Sequence, residues 1–124
     1  MVILVDTSIW IDHFRAPDAA LAQLIDHNRI VQHPYVTGEI VVGNLRRRSI
    51  AIWGLRQLAR IEPVAEQRFH EFLDFTDLSG TGLGFVDIHL LAAAADHGNA
   101  KIWTRDRRMH QQAERLGLAC ESPA

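Results

Sequence analysis

The chain opens on an unbroken apolar run, Met-Val-Ile-Leu-Val, that stops at Asp6. A run this short, apolar on both alternate sets of positions, reads as a strand buried on both faces, here Val2–Asp6. The period then changes. Ser8 to about Arg15 is expected to be helical, with Thr7 or Ser8 as its N-cap. Pro17-Asp18 opens a second helix to about His27, with Leu21, Leu24 and Ile25 at helical spacing. Arg29–His33 reads as the second strand. Pro34 starts a helix carrying Tyr35, Val36, Glu39, Ile40 and Gly43. The stretch Ser49–Arg60 is amphipathic and helical, and Ala65–Phe75 repeats the pattern with Phe69, Phe72 and Leu73. Ser79–Gly84 is a loop. Val86–His97 is so rich in Ala and Leu that it is expected to be a buried helix, stopped by Gly98-Asn99. Lys101–Thr104 is a strand, Arg107–Leu116 a helix, and Gly117–Cys120 a final short strand.

Strands alternating with helices predict an α/β fold with a parallel, doubly wound sheet. In such sheets functional groups gather beyond the carboxyl ends of the strands. The chain has 124 residues, 48% hydrophobic and 23% charged, which suits one soluble domain spanning 1–124. No linker or repeat divides it. No stretch reaches the roughly 20 apolar residues of a membrane span. The apolar start Met1–Val5 is too short for a signal-peptide core. Cys120 is the single cysteine and fits a reducing compartment, so a cytoplasmic location is expected.

Candidate chemistry rests on four acids. Asp6 ends the first apolar run, and Asp106 ends a second, Lys101-Ile-Trp-Thr-Arg-Asp106. Glu39 and Asp87 stand inside apolar helical stretches, where a lone carboxylate is costly without a partner. Asp6 and Asp106 can each be read simply as N-caps, and Asp87 as an acid favoured by the helix dipole. Glu39 has Tyr35, Val36, Val42 and Gly43 around its helical face and is expected to point inward, with Gly43 admitting another backbone. Asp87 shares a stripe with Leu90, Leu91 and Ala94 that aims it at the sheet edge. A carboxylate cluster of this kind is stable only with protons or cations, and a divalent metal site is the economical reading. Thr7, Ser8 and Thr104 are candidate supporting hydroxyls.

Other motifs carry less. Gly80, Gly82 and Gly84 precede a helix, but no Gly-Lys-Ser/Thr follows, so a turn that positions Asp87 fits better than a phosphate loop. The seven histidines lack zinc-ligand spacing. The net charge of −2 hides local basic groups. Arg46-Arg47-Arg48 is read at a helix end, where cations favour the dipole, and also counts toward phosphate contacts. Arg105, Arg107 and Arg108 flank Asp106. Trp10, Trp53 and Trp103 are read as core or partner-interface residues.

Taken together, these residues carry a likeness. Leu4-Val-Asp6-Thr-Ser-Ile-Trp-Ile-Asp12 resembles the first motif of PIN-domain ribonucleases, and more narrowly of the VapC toxins of toxin–antitoxin pairs. Glu39, Gly82-Leu-Gly-Phe-Val-Asp87-Ile-His-Leu-Leu and Ile102-Trp-Thr-Arg-Asp106 match in order, over the whole chain. The resemblance implies an α/β/α sandwich, an endoribonuclease dependent on magnesium or manganese, a homodimer, and a VapB-like antitoxin that covers the acidic site. All four acids of the family pattern are present. On this reading Asp6 and Asp87 hold the principal ion, Asp106 and Glu39 act through water or a second ion, and metal-activated water attacks the phosphodiester, so blocking translation or growth. A haloacid-dehalogenase-type phosphatase would need a second Asp at position 8, which is Ser. A non-catalytic scaffold that binds RNA or antitoxin is a rival reading, and so is cleavage of DNA on the same fold.

Overall fold

The structure, a computed structural model, describes residues 1–121. Its elements run β1 (Val2–Val5), α1 (Thr7–Arg15), α2 (Ala19–Asp26), β2 (Ile30–Gln32), α3 (Pro34–Val42), α4 (Arg48–Gln57), β3 (Ala59–Arg60), α5 (Glu66–Thr76), α6 (Phe85–His97), β4 (Ala100–Trp103) and α7 (Arg107–Arg115). The sheet is entirely parallel, in the order β3-β2-β1-β4. It forms the middle layer of an α/β/α sandwich, as the alternating pattern predicts.

β1 is the pivot. Its residues pair with β2 through Ile3↔Ile30 and Leu4↔Val31, and with β4 from Val2↔Ala100 to Val5↔Trp103. Flanked on both edges and covered on both faces, Ile3, Leu4 and Val5 are buried, which explains their continuous apolarity. α6 and α7 lie against β4, α5 packs on α6, and α3 packs between α1 and α4. α6 buries Ile88 through Ala94 without a gap, so the Ala-rich helix sits in the core as expected. It ends at Gly98, whose φ of 81° lies in the left-handed region that favours glycine. His33 is also buried. Burial holds its imidazole neutral, with a pKa pushed down to about 4, and the charges of His89 and Arg60 act in the same direction.

Most boundaries fall within a residue or two of the sequence reading, but three expectations need correction. The N-cap of α1 is Asp6, whose carboxylate accepts from Thr7 N–H at 2.8 Å, so neither Thr7 nor Ser8 caps it. The helix read over Ser49–Arg60 stops at Gln57. Leu58 turns extended, and Ala59–Arg60 become the edge strand β3, extended by Ile61 N–H donating to Gln32 O at 2.9 Å. Both residues of β3 are exposed, so no burial pattern marks the strand. The strand read over Gly117–Cys120 reduces to one bridge, Ala119 against Ile102.

Leu4 is fully buried in the central strand. Leu4→Ala is therefore expected to destabilise the protein by about 2–5 kcal/mol, seen as a lower urea midpoint. A loss below about 1 kcal/mol would mean that β1 is not the centre of the core.

Candidate functional site

β1 and β4 are parallel neighbours, so their carboxyl ends open on the same rim. Asp6 follows β1 directly. Its Oδ1 accepts from Thr7 N–H, and its Oδ2 accepts from the Thr104 hydroxyl at 2.7 Å. Thr104 follows β4 and is buried. Its Oγ1 in turn accepts from Asp106 N–H at 3.0 Å, and Asp106 caps α7 by accepting from Met109 N–H at 3.0 Å. The Thr7 hydroxyl reaches the other way and donates to Glu39 Oε1 at 2.7 Å. Asp6, Glu39 and Asp106 are thus joined through two threonines. Ser8 is exposed beside them and enters none of these bonds.

Two expectations about α3 change. Glu39 is exposed rather than inward-pointing, and the Thr7 hydroxyl holds it toward the rim. Gly43 admits no second backbone, because a Cβ there would meet only the carbonyls of Ile40 and Glu39 from its own helix.

Asp87 stands in the first turn of α6, half-buried. Its Oδ2 accepts from Gly84 N–H at 3.1 Å. This is one half of a capping box, since glycine offers no side chain in return. Burial is the main force pushing the Asp87 carboxyl above the ordinary carboxylate range. The Gly84 N–H opposes it, and the negative charges of Asp6, Asp106 and Glu39 add to it. All four acids therefore act on one locality.

The glycine loop does position Asp87, and it does more. Gly82 has φ 87°, and a Cβ there would lie 2.8 Å from Arg108 Nη1. The Arg108 guanidinium is the free end of a flexible side chain and could give way, so it is the left-handed φ that calls for glycine here. A cleft of about 280 Å³ results, lined by Gly82, Leu83, Asp87, Asp106, Arg107 and Arg108. The partnership of Arg108 with the loop is not legible in the sequence, although the run of arginines after Asp106 is visible there. Arg105 is engaged elsewhere. It pairs with Asp12 at 2.9 Å and Asp18 at 3.0 Å and lies over the Trp103 ring, bracing the connections rather than facing the cleft. Arg46 and Arg47 precede α4, and Arg48 begins it. The triplet thus stands at the positive end of the helix dipole, so the reading of it as dipole compensation fails.

The donor set is carboxylate and hydroxyl oxygen, which suits a hard cation such as magnesium or manganese and disfavours soft metals. Among the described residues no three acidic or histidine groups form a ready-made metal cage.

Beyond the acids, a groove of about 600 Å³ runs between α1 and α4, lined by Trp10, Phe14, Ile50, Leu55 and Leu58 among others, with Arg46 and Arg47 alongside. Trp10 and Trp103 are core residues, whereas Trp53 is 67% exposed.

The PIN domain family matches residues 3–115. Ribonuclease VapC32 of Mycobacterium tuberculosis, known from two strains, is 36% identical over 118 residues, covering 95% of this chain and 95% of the relative. A family match over nearly the whole length, together with a full-length relative at that identity, establishes that the chain belongs to the PIN-domain family, in its VapC group.

Proposed function

We propose that this protein is a metal-dependent endoribonuclease, the toxin of a toxin–antitoxin pair, built as a single PIN domain over residues 1–124. The observation that carries the reading is the linked set of acids. Asp6 is hydrogen-bonded through Thr104 toward Asp106 and through Thr7 to Glu39, with Asp87 under the field of all three. The ribonuclease name of the relatives supports RNA as the substrate.

Asp6 and Asp87 would hold the principal ion, and Asp106 and Glu39 would complete the site through water or a second ion. Magnesium or manganese, when bound, supplies Lewis-acid polarisation of the phosphodiester and lowers the pKa of water. The chain supplies orientation. Thr104 and Thr7 N–H each occupy one oxygen of Asp6 and fix its rotamer, leaving its other lone pairs free. Thr7 does the same for Glu39. Arg107 and Arg108, beside Asp87 and Asp106 in the cleft, would meet the phosphate backbone of the substrate.

The apolar groove between α1 and α4 supports a VapB-like antitoxin segment as partner. Val42 and Phe75, 85% and 90% exposed, support a second copy of the chain. No helix among the described residues is long and apolar enough to cross a membrane. The proposed setting is the cytoplasm, where cleavage of RNA would inhibit translation or growth.

Mapping cut ends on total cellular RNA after brief expression tests the reading directly. Attack by activated water leaves 5′-phosphate and 3′-hydroxyl ends, and a 2′,3′-cyclic phosphate would exclude it. Matched DNA strands should remain intact, and RNA bound but never cut would indicate a non-catalytic scaffold.

Asp6→Asn is expected to lower magnesium-dependent cleavage by at least about a hundredfold, beyond the 10–100-fold that losing an outer-shell partner costs. Thr104→Val should fall inside that range, about 10–100-fold, with the fold retained by circular dichroism. Cleavage at the wild-type rate by either variant would refute its assigned role.

Because the pKa of Asp87 is raised in the folded state, its ionisation costs stability as pH rises through that value. Asp87→Asn should therefore raise the metal-free melting temperature at about pH 7 while abolishing cleavage, and the gain should close near pH 3, where the carboxyl is protonated in both states. An unchanged or lower melting temperature at neutral pH would show that neither burial nor the neighbouring acids penalise the ionised Asp87 carboxylate.

A further inference from the structure

A second concavity shares the rim. It measures about 430 Å³ and is lined by Tyr35, Phe69, Phe85 and His89, with Glu66 and His70 beside them. The rings form one continuous cluster. Phe69 stacks on His89 at 4.3 Å and 15°, Phe85 meets His89 at 4.5 Å, and Tyr35 lies nearly parallel to Phe85 at 6.2 Å and 21°. Phe69 and His89 are buried, whereas Tyr35 is 36% exposed and Phe85 62%. An exposed pair of rings thus stands over a buried pair.

This cluster is tied to the acids by the helices that carry both. Tyr35 and Glu39 are four residues apart on α3 and share one face of it, whereas on α6 Asp87 stands two residues from both Phe85 and His89 and faces the other side of the helix. One turn is about 5.4 Å of helix, so the pocket adjoins the acids on the Glu39 side. Tyr35 is also held in place. Its N–H donates to His33 Nδ1 at 3.0 Å, and the two rings meet edge to face at 4.9 Å.

The chemistry of the pocket is specific. Flat aromatic walls with polar groups at the edge are how unpaired RNA bases are gripped, by stacking and by hydrogen bonds to the base edge. His89 Nδ1 is buried without a hydrogen-bond partner among the described residues. That atom is closed off from solvent, so His89 serves the pocket as part of its aromatic floor. His70 and Glu66, 3.8 Å apart, offer polar atoms.

We propose that this aromatic pocket between α3, α5 and α6 is a nucleobase subsite, seating one unpaired base of the RNA beside the bond to be cut. The assignment rests on the ribonuclease reading and adds to it a determinant of where the strand is cut. Phe85 and Tyr35 stack on the base, and Glu39, one helical turn from Tyr35, marks the side on which the neighbouring phosphodiester meets the acids.

The probe is a short oligoribonucleotide spanning a cut site mapped in cellular RNA, made intact and with a single abasic ribose at successive positions. With wild-type protein, one abasic position next to the cut should raise KM about tenfold, within the range for loss of one stacked base. Phe85→Ala should raise KM on the intact strand by a similar factor, with kcat little changed, and should erase the penalty at that position. Phe85→Trp, which keeps a stacking surface, should restore both. Phe85 is largely exposed, so neither substitution should impair folding. The subsite is refuted if Phe85→Ala keeps the wild-type KM and the same abasic profile. It is equally refuted if that variant loses self-association by light scattering with its abasic profile unchanged, which would make the face a subunit interface. In both cases wild-type cleavage persists and the ribonuclease reading stands. Absence of any cut RNA with wild-type protein would instead overturn that reading, and the subsite with it.

Discussion

Parallel pairing of β1 with β2 and β4 is the constraint on which the rest of the molecule depends. Parallel strands send every chain exit to the same edge of the sheet. Asp6, His33 and Thr104 are the residues that directly follow β1, β2 and β4. Each is polar, and each bonds to the chain that leaves the rim: Asp6 and His33 cap the helices they precede, and Thr104 accepts from Asp106 N–H. The same bonds that terminate the strands therefore assemble a polar shelf above an apolar sheet.

That shelf is electrostatically unbalanced. Among the four acids, the hydrogen bonds come from backbone N–H groups and from neutral threonine hydroxyls. Hydrogen bonds of this type orient a carboxylate without neutralising it. Arg105, adjacent to Asp106 in sequence, is engaged with Asp12 and Asp18 instead. The negative charges of Asp6, Asp106 and Glu39 add to the burial that pushes the Asp87 carboxyl above its ordinary range. Such an arrangement gives up folding stability for charge density, and a divalent cation together with a phosphodiester is the natural partner for it.

The parts of the fold that are legible in the sequence are those set by local pattern. β1 and the middle of α6 can be read because continuous burial writes itself as continuous apolarity, and β4 because Lys101 alone interrupts its buried residues. β3 cannot, because Ala59 and Arg60 are exposed and extended only through pairing with β2. The N-cap of α1 is Asp6 rather than Thr7 or Ser8 because Asp, Thr and Ser are all good caps, and the geometry at the end of the strand makes the choice. Glu39 reads as inward because its helical neighbours are apolar, yet Val42 on the same helix is 85% exposed. Local hydrophobicity there does not report the core.

By itself, then, the sequence determined the alternation of strand and helix, the parallel sheet, and the placement of Asp6, Asp87 and Asp106 at element junctions, since each of these follows from neighbours a few residues away. Only the tertiary structure decided what those acids touch. Thr7 meets Glu39 across 32 positions, Thr104 meets Asp6 across 98, and Arg108 meets the glycine loop at Gly82. The same holds for the aromatic pocket, whose rings come from three helices. Periodicity can say which way a side chain faces. Which distant side chain it will face is fixed by the order in which the strands enter the sheet, and that order is chosen by the packing of the whole core.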